Sequence, residues 1–115
     1  IEKPMFVKYS PLLDPIKYMI GKYEKSSNNL LKLPCFSGNE AVFDKLLEPN
    51  NSAYVDGFFT YLTSRLLHNL NFIHGLDFYG SYLGVKNNMS VNIEDDVEYL
   101  IGSDHFNMNV PKLFK

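Results

Sequence analysis

Between residues 52 and 70 the apolar positions recur with the period of a helix. Val55, Phe58, Phe59, Leu62, Leu66, Leu67 and Leu70 stand at i, i+3, i+4, i+7, i+11, i+12 and i+15. This spacing predicts a long central helix over about 52–69 with one apolar stripe turned toward a core. After Gly75 the pattern changes to Leu76-Asp77-Phe78-Tyr79-Gly80-Ser81-Tyr82-Leu83-Gly84-Val85, an aromatic run broken by two glycines. That composition predicts a buried strand or one arm of a hairpin. Lys86-Asn87-Asn88 reads as its turn, and Met89-Ser90-Val91-Asn92-Ile93 alternates like a strand paired back on 76–85. Met5-Phe6-Val7-Lys8-Tyr9, between Pro4 and Pro11, reads as a first strand.

The boundaries of the shorter elements are written in polar residues. Asp14-Pro15 is a helix start, because Asp accepts from free amides and Pro is pre-organised for the first helical position; Gly21 is its stop. Ser37-Gly38-Asn39-Glu40 has the spacing of a capping box and predicts a helix through Ala41, Val42, Phe43, Leu46 and Leu47, ended by Pro49. Asn50-Asn51-Ser52 supplies the turn and cap of the central helix, which Asn69 or Asn71 ends. Glu94-Asp95-Asp96 form an acidic first turn for a helix carrying Val97, Tyr99, Leu100 and Ile101, closed by Gly102. The tail from Asp104 onward reads as irregular. The expected fold class is α+β, with three to four helices packed on a small, mainly antiparallel sheet.

A chain of 115 residues with 45% hydrophobic side chains is expected to form a single domain over 1–115. Starting at Ile1, it reads as a piece of a longer protein. The net charge of −2, with Arg65 the only arginine among scattered lysines, indicates no nucleic-acid partner. No apolar run reaches the ~20 residues of a membrane span. A single cysteine, Cys35, forms no internal disulfide and reads as a small buried hydrophobe, which suits an intracellular protein.

Self-contained catalytic motifs are lacking. Glu94, Asp95 and Asp96 diverge by about 100° each on a helix and so serve the dipole rather than a metal. His68, His74 and His105 have no zinc spacing. Ser81, His74 and Asp77 could be drawn as a triad, but no G-x-S-x-G elbow accompanies them. One arrangement has a mechanism attached: Lys8 on the first strand, followed by the central helix and the strand containing Phe78-Tyr79-Gly80-Ser81. A lysine held in that way grips nucleotide phosphates when a carboxylate from a packed helix orients it.

Phe6-Val7-Lys8 resembles the strand lysine of protein kinases, and the passage from Leu66-Leu67-His68 to Leu76-Asp77-Phe78-Tyr79-Gly80-Ser81-Tyr82 is similar to the stretch from their αC helix into the fourth strand. Lys8-Tyr9-Ser10-Pro11-Leu12-Leu13-Asp14-Pro15, Asn51-Ser52-Ala53-Tyr54-Val55-Asp56 and His74-Gly75-Leu76-Asp77-Phe78-Tyr79-Gly80-Ser81 resemble blocks of the kinase-like proteins of giant nucleocytoplasmic DNA viruses, the mimivirus relatives. The resemblance covers an N-terminal lobe only. It implies a nucleotide-side lobe without the catalytic loop, Lys8 as the cofactor-binding residue and ATP with magnesium as cofactor. The implied partner is the remainder of its own chain or a viral assembly, and the implied location is the host cytoplasm or the virion. Asp56 is the only acid of the central helix and is expected to sit too early, and to be too short, to pair with Lys8. Without an H-R-D-type loop or a D-F-G, this stretch cannot transfer phosphate alone. The same features suit, as an alternative, a non-catalytic viral structural or assembly module.

Overall fold

The computed structural model describes residues 2–23, 28–35, 37–38 and 41–115. Among them are five α-helices: α1 (Pro15–Met19), α2 (Asp44–Leu47), α3 (Ser52–Leu70), α4 (Val97–Ile101) and α5 (Asp104–Asn109), with a 3₁₀ turn at Glu94–Asp96 before α4. No strand or bridge occurs among the described residues, so the expected α+β class is wrong and the architecture is helical with long extended connections.

The helix boundaries follow from local chemistry. The Asp14 carboxylate accepts from the amides of Ile16 and Lys17 at 2.9 and 3.2 Å, and Gly21, at φ +79°, takes the chain out of α1. Asn51 caps α3 by accepting from Ala53 N–H at 3.0 Å, and Asn71 ends it in the left-handed conformation at φ 55°. Gly102 ends α4 as expected. The tail reading needs correction, since Ser103 accepts from Phe106 N–H at 3.3 Å and so opens α5. Asn39 and Glu40 of the capping box lie outside the described residues. The helix expected there begins only at Asp44, with no side-chain cap at Phe43.

Segments 5–9, 76–85 and 89–93 are extended or irregular without being paired to one another. The turn at Asn87 and Asn88 forms where expected, but no ladder flanks it. The reason is visible in the partners of 75–81. Gly75, Phe78 and Ser81 lie against α3: a Cβ built on Gly75 would fall 2.4 Å from the Thr63 carbonyl oxygen, Phe78 N–H donates to Ser64 Oγ at 3.1 Å, and Ser81 Oγ would sit 3.2 Å from a Cβ on Gly57. The aromatic run therefore travels back along the helix, using a helix hydroxyl where a strand would use a neighbouring backbone. Gly80, at φ +138°, interrupts any strand geometry there.

Two packing centres result. One is α3 with the returning segment. The other gathers α1, α4, α5 and the C-terminal residues: Leu100 is 1% exposed, Phe106 stacks on Phe114 at 5.5 Å, Tyr18 meets Phe114 edge-on at 6.1 Å, and His105 Nδ1 donates to the Met19 carbonyl at 3.0 Å. Tyr23 against Phe43 at 5.6 Å joins the loop after α1 to the start of α2. The whole is open. Its radius of gyration is 17.7 Å where a compact domain of this length has about 13 Å. Its accessible surface is 9720 Å², about 3,000 Å² more than a folded chain of its mass usually exposes.

Candidate functional site

The N-terminal segment is tied to α3 by one asparagine with two tasks. While its carbonyl oxygen caps the helix, Asn51 Nδ2 donates to the Leu12 carbonyl at 2.7 Å. The chain on the N-terminal side of Leu12 is thereby carried along the first turns of α3. Four residues from Leu12, the Lys8 ammonium reaches Asp56 Oδ2 at 2.7 Å. Asp56 was expected to be too early and too short for this. The Asn51 anchor brings it within reach, because it fixes the extended segment beside the helix start rather than beside its middle.

Both members of the pair are half-exposed, at 59% and 48%. One donor of Lys8 is spent on Asp56, and the remaining two are open to solvent, so the ammonium is positioned but not sequestered. A second cation is close by in the chain path: Lys86 Nζ sits 5.1 Å from the ring centroid of Tyr9, the residue after Lys8. This contact also joins the end of the returning segment to the N-terminal one. Phosphate oxygens could therefore be met by an oriented ammonium with free donors. Among the described residues no group of three or more His, Cys, Asp or Glu side chains is placed to hold a metal ion.

The other sequence candidates go elsewhere. Asp77 pairs with His68, Nε2 to Oδ1 at 2.6 Å, and accepts from the Tyr79 hydroxyl at 3.4 Å. His74 stacks edge-on against Phe72 at 5.5 Å, and Ser81 sits at Gly57, so the three members of the drawn triad are not brought together. The His68–Asp77 contact clamps the returning segment near the C-terminal end of α3, a role the sequence pattern did not suggest. Its signal was a nine-residue separation bridging a helix end and a glycine turn.

Cys35 is exposed rather than buried, and the Ser37 hydroxyl beside its sulfur holds the thiol below its ordinary value. Tyr54 donates to the Leu46 carbonyl at 2.6 Å, and burial pushes its hydroxyl up. An open cleft of about 600 Å³ is lined by Leu12, Asp14, Lys17, Tyr23, Lys45 and Glu48 among others. Its cations are already engaged, Lys17 by Asp14 at 3.4 Å and Lys45 over the Tyr23 ring at 5.7 Å. Lys8 is not among its lining residues, so the cleft and the oriented lysine are separate features.

Comparison with family models, with curated proteins and with solved structures gave no match. No helix among the described residues is long and apolar enough to cross a membrane.

Proposed function

We propose that this chain is the nucleotide-side lobe of a protein-kinase-like protein, in which Lys8 holds phosphate oxygens of ATP and Asp56 orients it. The Lys8–Asp56 pair at 2.7 Å supports this reading. A lysine on an extended segment, fixed by a carboxylate of the neighbouring long helix, is the arrangement kinases use to position phosphates for transfer. In this reading Asp56 takes the part that a glutamate plays in kinases, and its shorter reach is compensated by its place in the first turns of α3, beside the anchored segment. The chain's own contribution is to bind and orient. With neither an H-R-D-type loop nor a D-F-G in the sequence, base and magnesium ligands must come from elsewhere.

Thermal unfolding with and without Mg-ATP tests the reading. A rise in Tm that Lys8→Ala abolishes and Asp56→Asn diminishes is the expected result. No rise in the wild-type protein would overturn it.

The exposed large apolar side chains, among them Phe6 at 87% and Tyr82 at 89%, favour a second reading, a non-catalytic module of a larger assembly, because exposed apolar patches mark interaction surface. Under that reading Lys8→Ala changes neither nucleotide response nor assembly.

A further inference from the structure

The apolar stripe of α3 faces outward. Ala53, Gly57, Thr60 and Ser64 recur every three or four residues, which puts them on one side of the helix, and this small-residue side receives the returning backbone. Val55, Phe59, Leu62, Leu66 and Leu70 lie on the opposite side, and all are exposed, Phe59 at 64% and Leu70 at 72%. An amphipathic helix ordinarily buries its apolar side. Here the side that fits a backbone is inside, and the side built for side-chain packing has no cover among the described residues.

We propose that a second copy of this chain covers it, through an antiparallel, two-fold α3–α3 contact centred between Leu62 and Thr63. The stripe is close to symmetric about its middle: Val55 and Phe59 are spaced by four residues on one side, Leu66 and Leu70 by four on the other, with Leu62 between. About a two-fold axis midway between positions 62 and 63, Val55 of one copy faces Leu70 of the other, Phe59 faces Leu66, and the two Leu62 side chains flank the axis. An isologous contact demands such a self-complementary pattern.

The electrostatics agree. Asp56 and Arg65 are the only Asp, Glu, Lys or Arg residues of α3, and Asp56 is already held by Lys8. The antiparallel register sets neither opposite its own copy. A lipid surface would call for lysines and arginines flanking the stripe, and α3 offers Arg65 alone. The inference rests on the helix alone and is independent of the nucleotide reading.

Sedimentation of the full chain tests it. The wild type should sediment as a dimer of the 13.3 kDa chain, and Phe59→Glu should sediment as a monomer with unchanged far-UV circular dichroism. A wild type that stays monomeric, whether or not it binds lipid vesicles or another protein, overturns the proposal; so does a dimer that survives Phe59→Glu. Cross-linking fixes the geometry without a disruptive charge. In a Cys35→Ser background, Leu62→Cys should oxidise to a covalent dimer and Leu70→Cys should not, because the two Leu70 positions would stand about 22 Å apart. Cross-linking at Leu70 and not at Leu62 would refute the antiparallel arrangement.

Discussion

The two packing centres of this molecule differ in the balance of contacts that hold them. Around α1, α4 and α5 rings gather on Phe114, which Tyr18 meets edge-on and Phe106 stacks against, and Leu100 of α4 is buried. Around α3 they are mainly polar and backbone-mediated, Ser64 to the Phe78 amide, His68 to Asp77 and Asp56 to Lys8, beside one edge-on ring contact of Tyr61 with Phe78 at 5.8 Å. Ser64, a hydroxyl residue, is the buried residue of α3 among those described. The ring cluster gains stability by removing apolar surface from water. The α3 centre gains register and position, since a net hydrogen bond contributes only about 1 kcal/mol. The difference teaches that the long helix is arranged here for placing groups, while much of its apolar side stays exposed.

The comparison is broken most severely at its apolar end. Leu100→Ala should destabilise the chain by about 2–5 kcal/mol, through lost burial and the cavity left behind, read as a lower midpoint in chemical denaturation. A loss under about 1 kcal/mol would mean that the ring cluster is no core. Next is Gly75→Ala. Its methyl would fall 2.4 Å from the Thr63 carbonyl oxygen and 3.0 Å from Leu67 Cβ, so the returning segment must lift from α3. A cost of about 1–3 kcal/mol is expected, together with faster amide exchange at Phe78 as its bond to Ser64 is lost. Unchanged exchange there would show that the segment is not seated on the helix.

The smallest effect sharpens the local end of the comparison. Desolvation of the Asp14 carboxyl, which would raise its pKa, is outweighed by hydrogen bonds from the Lys17 and Ile16 amides and by the Lys17 ammonium, so the group lies below its ordinary value. A depressed carboxylate stabilises the fold above its unfolded pKa, about 4, and that contribution fades as pH falls through the lower folded value. Asp14→Ala should cost about 0.5–1 kcal/mol at neutral pH, while Asp14→Asn should keep most of the cap and lose its acid dependence. Identical acid titrations of stability for wild type and Asp14→Asn would exclude the carboxylate as the source.

What could be read in advance separates by the range of the interaction. Helix ends were legible where one side chain satisfies amides two or three residues away, as at Asp14 and Asn51, or where Gly21 or Asn71 takes a positive φ. The sheet was not. Residues 76–85 have strand composition, yet composition does not say what the backbone bonds to, and a helix hydroxyl took the place of a strand. Lys8 was legible as a candidate, but its pairing with Asp56 was not, because the deciding contact is Asn51 to Leu12, 39 residues apart.

By itself the sequence determined where α1, α3 and α4 lie, the side-chain caps that open α1 and α3, and the apolar stripe of α3. These depend on the 3.6-residue period and on bonds spanning a few residues. Tertiary structure alone decided which side of α3 turns inward. The period gives the stripe but not its direction, and direction is set by what packs: a returning backbone fits only against the small side of Gly57, Thr60 and Ser64, so the apolar side was left facing out.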